Sequence, residues 1–157
     1  MTNTKIRVGS KFPIFNLPSS DADNYTNEQI NKQFVLFVYP TDGTPSCTKE
    51  AIGFSNHVDD FDNFDTLVIG LSKDGINKHK GFIKKNNLKI NLLSDENLAL
   101  IKSLGCWTEK AMYGKTYMGT ERTTFLVSKE GLVLHIWHKV KVPGHVEEVL
   151  NTVKQLG

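Results

Sequence analysis

The stretch from Gln33 to Phe61 constrains the fold more than any other part of the chain. Phe34-Val35-Leu36-Phe37-Val38 is an unbroken apolar run, the pattern of a strand buried on both faces. After a short connector, Ala51, Phe54, Val58 and Phe61 recur at helical spacing. A buried strand that turns directly into a helix commits the chain to an α/β architecture. The connector is Tyr39-Pro40-Thr41-Asp42-Gly43-Thr44-Pro45-Ser46-Cys47. Thr44 suits the helix N-cap, where its hydroxyl can accept a free backbone N–H, and Pro45 suits the first helical position. Cys47 then falls at the third helical residue, close to unpaired N–H donors and the positive end of the helix dipole, a setting that favours the nucleophilic thiolate.

That setting is not sufficient alone. Making most of an ordinary thiol anionic at neutral pH takes about 2.7 kcal/mol, and a helix terminus supplies about 0.3–1, at most ~2 kcal/mol. Thr44 could donate its hydroxyl to the sulfur, but a cation must come from elsewhere in the fold. Arg122 is the candidate. It is one of two arginines, and it stands at the entry of a second apolar run, Thr123-Thr124-Phe125-Leu126-Val127. A permanently charged, planar guanidinium suits a thiolate and an attacking oxygen better than lysine does. The competing reading of Arg122 is a surface charge at a strand end.

The remaining pattern alternates strands and helices. Residues 1–11 read as a loose polar arm, Phe12–Pro18 as a Pro-bounded edge segment, and Thr26–Lys32 as a possible helical turn. Pro45 to about Asp60 reads as one helix, Thr66–Ser72 as a buried strand, and Asp74 as the cap of a helix to about Asn86. Lys89–Ser94 is a short strand. Asp95–Leu104 is a helix ended by Gly105, and Cys106–Thr120 is a loop. Arg122–Ser128 and Leu132–His138 form a hairpin, and Gly144–Leu156 is an amphipathic closing helix. The prediction is a single domain over residues 1–157, with a mixed central β-sheet flanked by helices and the reactive turn at the C-terminal end of a central strand.

Composition excludes several classes. Two cysteines are too few for a disulfide-built secreted scaffold. The net charge of +2 is dispersed, and the lysines from Lys78 to Lys89 read as a solvated helix face, so neither nucleic acid nor a membrane surface is expected as a partner. No apolar run approaches the ~20 residues of a membrane helix. The N-terminus has no signal-peptide core, so a reducing, cytoplasmic setting is expected. No metal site is expected: there is no Cys-x-x-Cys or His-x₃-His, and His135 and His138 would point to opposite faces of a strand. His57 would lie about 15 Å from Cys47 along the helix, too far to serve as its base. His145 reads as a capping or surface residue. Cys106, after Gly105 and before Trp107, is either a small buried hydrophobe or a redox partner.

Tyr39-Pro40-…-Asp42-…-Thr44-Pro45-Ser46-Cys47-Thr48-Lys49-Glu50-Ala51 closely resembles the active-site motif of peroxiredoxins, in particular the bacterioferritin-comigratory or peroxiredoxin Q branch. The resemblance continues through Trp107–Gly119, Arg122–Val127 and Val140–Leu150, covering nearly the whole chain after residue 8. It implies a thioredoxin-like fold and reduction of hydrogen peroxide or organic hydroperoxides, with no metal or organic cofactor. It implies that Cys47 attacks the O–O bond and becomes a sulfenic acid. Thr44 and Arg122 would polarise the peroxide and hold the thiolate, Pro40 would shield the site, and Glu50 would orient Arg122. Thioredoxin, glutaredoxin or a low-molecular-weight thiol would be the reductant, and a monomer is expected.

The chain departs from that pattern in three places. Ile52 stands where many relatives carry a resolving cysteine, which points to a one-cysteine enzyme recycled by an external thiol. The alternative is a two-cysteine cycle with Cys106 as the resolving residue. Ser46 replaces a usual Gly, and Thr41 replaces a frequent Lys or Arg, removing a positive charge from the turn. Two other functions compete. A thioredoxin-like disulfide exchanger would need a cysteine where Thr44 stands. A non-enzymatic holdase on the same fold would have no use for the Pro40, Thr44, Cys47 and Arg122 set.

Overall fold

The computed structural model describes residues 6–156. Its elements are β1 (Asn16–Leu17), β2 (Tyr25–Thr26), a 3₁₀ turn (Asn27–Gln29), β3 (Gln33–Val38), α1 (Pro45–Asn56), α2 (Val58–Asp62), β4 (Thr66–Ser72), α3 (Ile76–Asn86) and β5 (Asn91–Ser94). They continue with α4 (Ala99–Ser103), β6 (Trp107–Met112), β7 (Lys115–Thr120), β8 (Thr123–Val127), β9 (Val133–Trp137) and α5 (His145–Leu156). The central sheet has the order β5-β4-β3-β8-β9. β3 runs parallel to β4, and β4 to β5, as helical crossovers require. β8 is antiparallel to β3 and to β9. The predicted mixed sheet flanked by helices is therefore observed.

Alternation along the strands divides the interior in two. Val35 and Phe37 of β3, with Tyr39 just beyond it, face a core shared with Cys47, Ala51 and Phe54 of α1, Phe61 of α2, Phe82 of α3 and the Val146, Val149, Leu150 and Val153 stripe of α5. Phe34, Leu36 and Val38 face the opposite core, shared with Phe12, Phe15, Leu100 and Ile101 of α4, Leu104 and Cys106. On the α1 side, Phe54 stacks on Phe37 with ring centroids 4.7 Å apart, and Phe37 on Tyr39 at 5.5 Å. Gly70 of β4 makes room for this stack, because a Cβ there would stand 2.9 Å from Phe37 Cζ and 2.7 Å from Leu92 Cδ2.

Several local expectations are corrected. Of the expected loose arm, residues 1–5 lie outside the described residues. Residues 6–11 are held: Ile6 is buried, the Gly9 N–H donates to the Val133 carbonyl at 2.8 Å, and the Val133 N–H donates to the Ser10 carbonyl at 2.9 Å. This segment pairs with the start of β9 at Val133, while the Ser94 N–H donates to the Pro18 carbonyl at the β5 edge, so part of each outer strand is shielded from edge pairing. The single helix expected from Pro45 breaks at His57, whose φ of −106° and ψ of 10° leave helical geometry before α2 begins. Asp74 does not cap α3, where Gly75 is the N-cap. α4 starts only at Ala99, because Leu98 adopts a φ of 64°, and the Asp95 carboxylate instead accepts the Ile101 N–H at 2.7 Å.

The expected loop at Cys106–Thr120 is an antiparallel hairpin, β6–β7. Its two-residue turn places Tyr113 at φ 52° and Gly114 at φ 76°, the double left-handed geometry that matches strand twist. The ribbon projects into solvent, leaving Met112, Tyr113, Tyr117 and Met118 exposed. Among the described residues no helix is long and apolar enough to cross a membrane.

Candidate active site

β3 ends at Val38, the chain turns through Tyr39–Thr44, and α1 begins at Pro45. Thr44 has the extended φ/ψ of an N-cap and Pro45 occupies the first turn, as expected, and Cys47 is the third helical residue. Thr44 makes no side-chain capping bond, however. Its carbonyl accepts the Thr48 N–H at 2.9 Å, the first bond of the helix, and the Thr48 hydroxyl at 2.7 Å, while its own hydroxyl is not committed to a cap. Pro40 sits half-buried at the start of the turn, and its carbonyl accepts Lys73 Nζ at 2.8 Å.

Arg122 lies just before β8. The antiparallel register that places Thr123 beside Val38 carries it to the same sheet end as the turn. Its backbone carbonyl is fixed by the Val140 N–H at 2.9 Å. The guanidinium divides its donors, Nη2 pointing at Cys47 Sγ at 3.4 Å and Nη1 at Glu50 Oε1 at 2.7 Å. Cys47 and Glu50 lie one helical turn apart on α1, so a single planar group reaches both. Cys47 is 1% exposed and Glu50 is fully buried. Burial pushes the Glu50 carboxyl up to about 7, against the opposing pull of Arg122, and Glu50 Oε2 is left without a partner. In return, the charges of Glu50 and Cys47 hold Arg122 above its ordinary range against its own burial.

Cys106 is not part of this constellation. It belongs to the core on the other side of the sheet from Cys47. Burial first, and then Glu121, push its thiol up to about 12. The buried-hydrophobe reading of Cys106 describes its environment. Ile52 packs at the margin of the Cys47 core, and Ser46 is exposed, so a side chain is accommodated there without strain. The charge missing at Thr41 comes from another element: Lys78 Nζ lies 2.9 Å from Thr41 Oγ1 and 3.0 Å from Asp74 Oδ1.

His145, read from sequence as a cap or surface residue, is instead buried against Phe54 and Trp137, with Nε2 2.8 Å from Thr124 Oγ1. Burial lowers it to about 4, so the ring is neutral near pH 7. The sequence reading also passed over Asp42 and His79 as interacting residues. Both are buried, with His79 Nδ1 2.7 Å from Asp42 Oδ2. Their separation of 37 positions leaves no local signal for the pair.

A sheet that delivers a cysteine to a helix N-terminus within 3.4 Å of an arginine makes a setting that favours a nucleophilic thiolate. The AhpC/TSA family matches residues 8–136, and the chain belongs to that family, among its bacterioferritin-comigratory or peroxiredoxin Q members. It is 40% identical over 152 residues to peroxiredoxin Bcp of Bacillus subtilis, covering 96% of this chain and 97% of that one. It is 35% identical over 152 residues to peroxiredoxin Bcp of Escherichia coli, with the same coverage. Among solved structures, peroxiredoxin Q of Xanthomonas campestris superposes with a TM-score of 0.87 at 35% identity, covering 98% of both chains. The bacterioferritin comigratory protein of the same organism, studied as trapped intermediate and ligand complexes for its alkyl peroxide reduction activity, superposes at 0.85 with 36% identity over 90% of each chain.

Proposed function

We propose that this thiol-dependent peroxidase reduces hydrogen peroxide and organic hydroperoxides by a one-cysteine cycle centred on Cys47. The observation that carries the site assignment is the 3.4 Å approach of Arg122 Nη2 to Cys47 Sγ. The Cys47 thiolate attacks one peroxide oxygen. The O–O bond breaks heterolytically, the alcohol or water leaves with a proton, and Cys47 becomes a sulfenic acid. Arg122, with the uncommitted Thr44 hydroxyl, stabilises charge on the oxygens as the bond breaks. Glu50 orients Arg122, and Pro40 shields the turn from bulk water. A first external thiol condenses with the sulfenic acid, releasing water and leaving a mixed disulfide. A second thiol then frees Cys47 and leaves as the oxidised disulfide.

The alkyl peroxide reduction described for the Xanthomonas campestris protein supports organic hydroperoxides as substrates. Thioredoxin, glutaredoxin or a small thiol serves as reductant in a reducing, cytoplasmic setting, and the enzyme acts as a monomer. The one-cysteine cycle is supported by the sheet that stands between Cys47 and Cys106. The test of the site is Cys47→Ser, which abolishes hydroperoxide consumption while circular dichroism and melting stay near those of the parent. Retention of most of the activity would overturn the assignment.

A further inference from the structure

We propose that Asp42 and His79 are positioning residues for the peroxidase reaction: their buried pair holds the Pro40–Thr44 turn in the shape that presents Thr44 and Cys47 to a hydroperoxide. The proposal rests on Cys47 being the attacking residue.

Among residues 40–46 only Asp42 is buried, at 5% exposure, while Gly43, Pro45 and Ser46 are exposed and the others half-buried. Apolar packing therefore does little to fix this turn, and polar bonds must. Asp42 supplies them in three directions. Its N–H donates to Asp74 Oδ2 at 2.7 Å, which ties it to the chain just past β4. Its Oδ1 accepts the Tyr39 hydroxyl at 2.6 Å, which ties it to the end of β3. Its Oδ2 lies 2.7 Å from His79 Nδ1, which ties it to α3.

His79 is fully buried and has its own anchorage. Nε2 lies 2.9 Å from the Leu93 carbonyl, a group that only accepts, so Nε2 carries hydrogen, and a further hydrogen shared between Nδ1 and Asp42 Oδ2 closes their 2.7 Å contact. The ring is a strut from β5 to the reactive turn. Asp74 extends the hub, accepting Ser72 Oγ at 2.8 Å and Thr41 Oγ1 at 2.9 Å, in addition to Lys78.

Ligand atoms of Asp42, Asp74 and His79 lie within 4.8 Å of one another, a spacing that a cation could use. Here hydrogens already meet those atoms: the Tyr39 hydroxyl and the hydrogen shared with His79 at Asp42, and an N–H, two hydroxyls and an ammonium at Asp74. The cluster is a satisfied hydrogen-bond hub, and such buried hubs specify one geometry. Reactive geometry tolerates little error, since a displacement of about 1 Å can cost ~100-fold in rate.

Two substitutions at one position separate positioning from bulk stability. His79→Asn places an amide nitrogen where Nδ1 stood and keeps a donor to Asp42. His79→Gln reaches toward the Leu93 carbonyl and leaves Asp42 Oδ2 without its partner. Single-turnover oxidation of Cys47 by hydrogen peroxide and alkylation of Cys47 by iodoacetamide are measured on both, with melting curves. The expected result is that His79→Gln slows oxidation at least about tenfold while alkylation is unchanged or faster, and that His79→Asn recovers most of the loss. Oxidation and alkylation falling together, equal behaviour of the two variants, or no slowing in His79→Gln would each overturn the proposal. If His79→Gln does not fold, Asp42→Ser replaces it, keeping the backbone bond to Asp74 while dropping both carboxylate bonds. Cys47→Ser serves as the control: peroxide oxidation persisting in it would sink the site assignment, whereas its loss alongside a normal His79→Gln would sink only the positioning role.

Discussion

Arg122 touches Cys47 and Glu50 with two different nitrogens of one rigid plane, and that geometry governs the predictions at the residue scale. Arg122→Lys keeps the charge but has one ammonium for two partners. It is expected to slow peroxide oxidation of Cys47 by about 100-fold, the usual loss on removing one preorganised donor, as read by stopped-flow fluorescence. A rate within threefold of the parent would remove Arg122 from the reaction. Glu50 carries a pH signature. Its carboxyl stands at about 7 in the fold against an ordinary 4.5, so the folded protein holds that proton more tightly than the unfolded chain. The resulting stability is fully present below about 4.5 and is lost as pH rises through about 7. Melting temperatures from pH 5 to 8 should therefore fall in the parent relative to Glu50→Gln, and parallel curves would refute the shift. His145 works in the opposite direction: lowered to about 4 from 6.5, it contributes stability above 6.5 that is lost as pH falls through about 4. Cys47 and Arg122 were legible because each is tied to the end of an apolar run, and such ends converge in an α/β sheet. Asp42, His79 and His145 were not, because nothing in a polar residue's own neighbourhood along the chain reports that tertiary partners bury it.

At the scale of elements, the stack Tyr39–Phe37–Phe54 transmits the position of the sheet to α1. Phe54→Ala should cost about 3–5 kcal/mol of stability, the range for a fully buried aromatic, by urea denaturation. Gly70→Ala tests the same layer from beneath. The new methyl would press on the Phe37 and Leu92 side chains, and a loss of about 1–3 kcal/mol is expected from overpacking. A neutral or stabilising result would mean that the stack yields easily. The central strands and α5 were legible from their periods. The β6–β7 hairpin was not, because its solvent-facing residues show no clear in–out alternation and its turn uses Tyr113-Gly114 rather than the familiar Asn-Gly signal. The N-terminal segment misled for a related reason: residues 9–12 dock largely through backbone bonds to residues 131–133, which polar side chains do not advertise.

At the scale of the whole molecule, the sheet is a partition with one cysteine on either side. Peroxide-treated protein, mapped without reduction, should yield no Cys47–Cys106 peptide pair, and with a small thiol present should yield a mixed disulfide at Cys47. A Cys47–Cys106 pair in good yield would restore the two-cysteine cycle and require α1 to unwind. The partition also has a kinetic meaning. An enzyme with its own resolving thiol fixes the lifetime of its sulfenic acid internally. In the one-cysteine cycle proposed above, that lifetime would instead be set by collision, and so by how much reductant surrounds the molecule. When reductant is scarce and peroxide abundant, the same sulfur would then meet a second oxidant first and proceed to the sulfinic acid. On that cycle, the fraction of molecules lost in this way would record the ratio of peroxide to thiol that the protein has met.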